Sequence, residues 1–148
     1  MPMETFKATA KKKEGLAVEV SARDFKITID EPESLGGTNT GMNPVELLLC
    51  SLGACQTIVA SAFSGKFGIN LEDFWVELEG DLDTDGFLGV NDEVRKGYQK
   101  LRFHMHVKSD ASEEKVNELI EFIEKTCPVG DSLENGVQFE KAKVTIEK

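Results

Sequence analysis

The sequence predicts an α+β fold with antiparallel sheets around one long, buried central helix, on the basis of three patterns. Short runs that alternate apolar and polar residues, the period of half-buried strands, occur both before and after a long apolar segment. That segment is too long for a strand, and a later segment repeats apolar residues at helical period. Because short turns can join the strands in pairs, antiparallel sheets are favoured.

Length and charge limit the class of protein. The 148 residues suit one domain over residues 1–148, with a core that needs no staples. A net charge of −10 argues against nucleic acid as a partner and disfavours anionic membranes. The N-terminal stretch lacks the apolar run of a signal peptide, so a cytoplasmic location is expected. There, paired thiols are more often catalytic or transient than structural.

The first half of the chain predicts strands followed by the long helix. Three short alternating runs open it, the second and third at residues 16–20 and 25–29. The loop "EPESLGGTNTGMN" follows, after which Asn43 can cap a helix and Pro44 suits its first turn. The helix is expected to reach about Phe63.

Apolar residues cover nearly all faces of this predicted helix, so we expect other elements to surround it. Its longest uncharged run, residues 47–65, contains Ser51, Gln56 and Thr57 among other polar residues. The run is therefore interpreted as a helix buried in protein and not as a membrane span.

The second half predicts two strands, a helix and a last strand. Residues 74–79 and 101–108 alternate cleanly, on either side of a long segment rich in Gly and Asp. Asp110 and Glu113 have the spacing of a capping box before the helix. Extended by one turn, its apolar stripe reaches Cys127. The stripe consists of Val116, Leu119, Ile120 and Ile123. Pro128 is expected to end the helix, and a short turn to lead to a strand over residues 137–146.

The three cysteines allow several interpretations. Cys50 and Cys55 are five residues apart on one helix and project from different faces, so they cannot bond to each other. A bond from Cys127 to either is sterically open. Free cysteine is often a small core residue, and that interpretation is kept for Cys50. No metal site is predicted, because no CxxC pair occurs and His104 and His106 read as part of a polar strand face.

A reactive thiol is the remaining interpretation. The nucleophile is the thiolate, and burial in an apolar helix raises the pKa of a thiol, so a nearby cation is required. Arg23, between two predicted strands, and Arg95, in the long segment, are the candidates, whereas Arg102 belongs to a regular strand. From the residues alone, core packing and reactivity both stay open.

Two segments, taken in order and with their spacing, resemble the OsmC/Ohr family of osmotically induced and organic hydroperoxide resistance proteins. These segments are "ESLGGTNTGMNPVELLLCSLGAC" and the later "TCPV". The resemblance covers almost the whole chain. It combines the "LGG" loop, an Asn-Pro helix start, "GAC" in mid-helix, and a Cys followed by Pro after the later helix.

The resemblance implies an OsmC-like α+β fold in an intertwined homodimer, with the active sites at the subunit interface. It implies a thiol peroxidase that reduces organic hydroperoxides or hydrogen peroxide without metal or bound cofactor. Cys55 would be the peroxidatic cysteine and Cys127 the resolving one, and an external dithiol would reduce their disulfide. The expected partners are therefore a second copy, a small hydroperoxide and that reductant.

The resemblance also assigns the supporting charges and shows a departure. Arg23 aligns loosely with the family arginine that activates the first cysteine. The peroxidase branches place a glutamate directly after Asn-Pro, where this chain has Val45, and Glu46 stands one residue later. One helical step rotates a side chain by about 100°. A divergent branch is therefore indicated, and the alternative function is a non-catalytic dimeric protein that binds a small hydrophobic or thiol-reactive ligand.

Overall fold

A computed structural model of the chain describes residues 2–148. The chain forms two compact units, one that runs to Cys50 and one from Ser51 to Lys148. The elements are mixed helices and antiparallel strands with one long central helix, which confirms the predicted α+β class.

The first unit contains a three-stranded antiparallel sheet in the order β1-β2-β3. Its strands are β1 (Thr9–Lys12), β2 (Val18–Ala22) and β3 (Phe25–Ile29). Arg23, in the tight turn between β2 and β3, has a positive φ of 55°. The predicted strands at residues 16–20 and 25–29 are therefore confirmed to within two residues at their ends.

Asp30 organises the loop that follows β3. Only 1% of this residue is exposed. Its carboxylate accepts hydrogen bonds from the backbone N–H of Glu31 (2.8 Å) and from the backbone and hydroxyl groups of Thr38 and Thr40. These hydrogen bonds hold the pKa of Asp30 well below its usual range. The loop is thus closed onto the end of β3 before the long helix begins.

The long helix, α1 (Pro44–Phe63), has the predicted bounds. Asn43 caps it, as its side-chain oxygen accepts the backbone N–H of Glu46 at 2.9 Å. The expectation that other elements surround it is wrong for the single chain, because Leu48 and Ile58 are exposed. By length and composition alone, residues Pro44–Phe67 could cross a membrane, a property shared with core helices of soluble proteins.

The second unit pairs two long strands and packs helices against them. Strands β4 (Asp73–Leu82) and β5 (Tyr98–Lys108) form an antiparallel sheet. The predicted excursion between them contains a short helix, α2 (Thr84–Phe87). Both strand predictions are confirmed, and each strand is a few residues longer than its clean alternation indicated.

The core of the second unit forms between α1, β4 and the third helix, α3 (Glu113–Thr126). Leu119 and Ile123, from the predicted stripe of α3, are fully buried. Burial of a side chain of this size contributes roughly 1.5–3 kcal/mol. The other buried core residues are Val59, Ala60, Ile69 and Phe74.

Three details at the end of the chain correct the predictions. Ser112, and not Asp110, caps α3, because its hydroxyl accepts the backbone N–H of Lys115. The predicted turn after Pro128 is a helix, α4 (Pro128–Asn135), since proline at the first position starts a helix as readily as it ends one. The last strand is also wrong: residues 137–146 have no regular structure and pair with no strand within residues 2–148.

Replacement of Asp30 tests the loop anchor. The native-state pKa lies below the ordinary value of 3.8, so the stabilisation is present above that value and is lost as the pH falls toward the native-state pKa. We expect Asp30→Asn to unfold at a lower urea concentration than wild type at pH 7, with a difference that shrinks below about pH 4. Asp24→Asn, in the exposed hairpin turn, is the control. Equal midpoints for wild type and Asp30→Asn at pH 7 would contradict the anchor.

Candidate functional site

The three cysteines differ in their surroundings, and all three are free thiols. Cys50 is exposed on α1, and its thiol lies 3.8 Å from the sulfur of Met42. The expectation that Cys50 is a buried packing residue is therefore wrong for the single chain. Cys55, also on α1, is half-buried, and Cys127 is only 2% exposed.

Cys127 lies at the junction of two helices and serves both. Its backbone N–H caps the end of α3 by donating to the carbonyl of Ile123 at 3.0 Å. Its sulfur caps the start of α4 by accepting the backbone N–H of Gly130 at 3.3 Å. The thiol is thereby held at the start of α4, and a Cβ at Gly130 would lie 3.6 Å from both this sulfur and Leu52 of α1.

The thiols of Cys55 and Cys127 interact with each other. Burial raises the pKa of Cys127, and its hydrogen-bonding contact with Cys55 raises it further. The backbone N–H groups of Gly130 and Val129 act in the opposite direction, as expected at a helix N-terminus. The net direction is upward, so Cys127 carries its proton at neutral pH.

The candidate arginines lie in turns and loops. The guanidinium of Arg23 lies over the ring of Phe25, 4.8 Å from its centroid, and the residue is exposed. Arg95 is exposed in the segment between α2 and β5. Arg102 is bound to Asp81 at 2.7 Å and to Glu79 at 3.2 Å on the open face of the β4–β5 sheet. Arg102 is thus engaged as the sequence indicated, and the role of Arg23 stays a prediction.

The carboxylate of Glu46 takes part in the cap of α1. It accepts the backbone N–H of Asn43 at 2.9 Å, while Asn43 accepts the backbone N–H of Glu46 at the same distance. This reciprocal pair is a capping box. These hydrogen bonds give the Glu46 side chain a local structural role. Its catalytic role stays a prediction.

Two features of the structure were not predicted from the sequence. The cap that Cys127 provides for α4 depends on recognising that α4 exists, and the signal was Pro128 directly after the cysteine. Asp30 was missed because its hydrogen-bond donors lie eight and ten residues further along a loop. The pairing of Cys55 with Cys127 came from the resemblance and not from spacing.

A long helix that carries Cys55, a buried Cys127 at a helix junction and antiparallel strands define an α+β protein with a candidate dithiol site. The sequence profile of a protein family, described as OsmC-like protein, matches residues 37–141 of this chain. The chain therefore belongs to the OsmC-like family, which confirms the resemblance.

Similar proteins agree with this membership. A hydroperoxide reductase from Mycoplasma genitalium is 28% identical over 120 residues, which cover 78% of this chain and 77% of the relative. A crystal structure of an OsmC-like protein from Mycoplasma pneumoniae matches with a TM-score of 0.78 at 24% identity, over 88% of each chain. A structure of an organic hydroperoxide resistance protein from Legionella pneumophila matches with a TM-score of 0.67 at 20% identity, over 92% of this chain and 93% of that one.

Substitution of Glu46 tests the capping box. We expect Glu46→Ala to lower the free energy of unfolding by about 0.5–1 kcal/mol, because the backbone N–H of Asn43 loses its acceptor. Glu46→Gln should stay close to wild type, since glutamine can accept the same hydrogen bond. Urea denaturation at pH 7 measures both. An Ala variant as stable as wild type would show that the box contributes nothing.

Proposed function

We propose that this protein is a cysteine-based peroxidase that reduces organic hydroperoxides, with Cys55 as the attacking thiol and Cys127 as the resolving thiol. The single observation that carries the proposal is the proximity of these two thiols: Cys55 is close enough to raise the pKa of the nearly buried Cys127, although the two residues are far apart in sequence. Similarity to hydroperoxide reductases supports the choice of substrate.

The proposed reaction has two steps. The thiolate of Cys55 attacks the terminal oxygen of the hydroperoxide, the O–O bond breaks, and the alkoxide leaves as an alcohol after taking a proton. Cys55 is then a sulfenic acid. The sulfur of Cys127 attacks the sulfur of Cys55, the hydroxyl leaves as water with one proton, and a disulfide forms. An external dithiol returns both residues to thiols.

The surroundings of Cys127 favour its role as the resolving residue. Its raised pKa makes Cys127 a poor first nucleophile toward peroxide at neutral pH. Its position is fixed by Gly130, so it is ready for a sulfenic acid formed on Cys55. The apolar neighbourhood suits a substrate with an alkyl or aromatic tail.

Arg23 is the proposed activator of Cys55, with Glu46 as the carboxylate that orients it. The guanidinium of Arg23 contacts a neutral ring, so that contact does not neutralise its charge. Because Glu46 is engaged in the capping box, its carboxylate is less available to orient Arg23. This observation favours a second candidate function. That candidate is a dimeric protein that binds a small hydrophobic or thiol-reactive ligand without turnover.

A homodimer is proposed as the functional unit, because large apolar side chains lack cover in the single chain. On α1, Ile58 is 66% exposed. The C-terminal segment alternates like a strand and leaves Val137, Phe139, Val144 and Ile146 exposed. A two-stranded sheet is marginal alone, and an unpaired strand-like segment can add to the sheet of a second copy.

Cysteine substitutions test the peroxidase proposal. With cumene hydroperoxide and a dithiol reductant, we expect Cys55→Ser to lose all consumption above the protein-free rate. Cys127→Ser should slow turnover strongly but still form a sulfenic acid that a dimedone probe traps. Cys50→Ser is the matched control on the same helix and should keep the wild-type rate. Equal rates for all four proteins would contradict the peroxidase proposal and would favour the ligand-binding function instead.

The same assay separates the supporting residues. Arg23→Gln should lower the rate on the order of tenfold, because the attacking thiolate would lose its proposed cation. Arg95→Gln is the matched control and should be neutral. If Arg95→Gln is the slower variant, Arg23 is not the activator. Loss of activity in Glu46→Gln at unchanged stability would support the orienting role of its charge.

A charge on the open face of α1 tests the homodimer. We expect wild type to sediment as a dimer, and Ile58→Asp to shift toward monomer because a carboxylate would be buried without a partner. Asn117→Asp, on the exposed face of α3, adds the same charge and should stay dimeric. A monomeric wild type at micromolar concentration would contradict the proposal.

A further inference from the structure

Three side chains with metal-binding atoms meet on the open face of the β4–β5 sheet, outside the cysteine site. They are Glu77 of β4 and His104 and His106 of β5. One ligand atom from each lies within 4.8 Å of those of the other two. The side chain of Glu77 is 67% exposed, so a cation from solvent can reach it.

The sheet itself brings the three together. His104 and His106 are two residues apart on a regular strand and therefore share a face. The strand register places Glu77 directly opposite His104. Glu77 also reaches diagonally to His106, with 2.6 Å between Oε1 and Nε2. The two imidazole rings are 4.1 Å apart between centroids.

Neighbouring groups favour Glu77 as the carboxylate available to a cation. On the same face, Glu79 and Asp81 are bound to the guanidinium of Arg102. Trp75, opposite His106 in the register, stacks on its ring with 4.5 Å between centroids and 5° between planes. This stacking holds one imidazole in a defined orientation.

We propose that Glu77, His104 and His106 bind a late first-row divalent cation, for which Zn²⁺ is the best match. Two imidazole nitrogens and one carboxylate oxygen are donors that Zn²⁺ prefers, with bonds of about 2.0–2.2 Å. Such bonds place ligand atoms about 3–4 Å apart, a spacing that small rotations of these side chains reach. The remaining coordination positions face solvent and would hold water.

The plainer interpretation is a hydrogen bond on a solvated sheet face. That hydrogen bond accounts for Glu77 and His106, but it leaves unexplained the second imidazole, His104, directly opposite the same carboxylate. The net charge of −10 further favours a cation over an anion at this surface. A bound ion would link β4 to β5, and this inference does not depend on the peroxidase proposal.

The sole tryptophan of the chain, Trp75, reports on the site because it stacks on a ligand. The protein is freed of metal with a chelator and titrated with Ni²⁺, and tryptophan fluorescence is followed. We expect saturable quenching with one ion per chain, reversed by Zn²⁺, which has a filled d shell and does not quench. His104→Gln and Glu77→Gln should each weaken binding by about tenfold or more.

Glu79→Gln is the matched control, since it removes the same charge from the same strand face without touching the three ligands. It should bind like wild type. Absence of saturable quenching in wild type, or equal affinity in all four proteins, would overturn the site. Loss of binding in Cys55→Ser or Cys127→Ser instead of the histidine variant would assign the ion to the thiols and also overturn it.

Discussion

The apolar character of α1 on nearly all of its faces is the constraint on which the rest of the structure depends. One face is covered in the second unit, where Val59 and Ala60 join the core with residues of β4 and α3. Gly53 allows a close approach there, since a Cβ at this position would lie 2.7 Å from Leu78. The opposite face keeps Ile58 open, so the helix still has apolar surface that a partner can cover.

The same helix sets the chemistry of the thiols. It holds Cys55 half-buried, and the junction of α3 and α4 supplies Cys127 almost fully buried. Burial keeps the Cys127 thiol protonated, while the N–H groups at the start of α4 moderate that effect and fix its position. In the proposed reaction, a sulfenic acid on the half-buried Cys55 would form close to the thiol that is proposed to resolve it.

Local signals predicted much of the fold. Asn43 and Pro44 gave the start of α1, and the periods of β2, β3, β4, β5 and α3 gave their positions. Ambiguous signals led to wrong predictions. Proline can end a helix or begin one, and because Pro128 was taken only as the end of α3, α4 was missed. The strand expected over residues 137–146 has the right alternation, but a strand also requires a partner, which alternation alone does not supply.

The candidate site was harder to predict from the sequence than the fold, because its contacts join residues that are far apart in the chain. No spacing rule joins Cys55 to Cys127, or places Glu77 beside His104, since strand register and helix packing decide both. Glu46 is the opposite case: the sequence predicted a catalytic role for it, but its observed contacts are local hydrogen bonds of a capping box. Family resemblance supplied the cysteine pair, whereas the physical reasoning alone favoured core packing and left reactivity open.

The most direct test of the central claim is the disulfide that peroxide produces. Reduced protein is treated with a stoichiometric amount of cumene hydroperoxide, its free thiols are alkylated, and the bonds are mapped by peptide mass spectrometry. The account predicts a disulfide between Cys55 and Cys127, with Cys50 alkylated. Consumption of the peroxide without that disulfide, or a disulfide that contains Cys50, would contradict it.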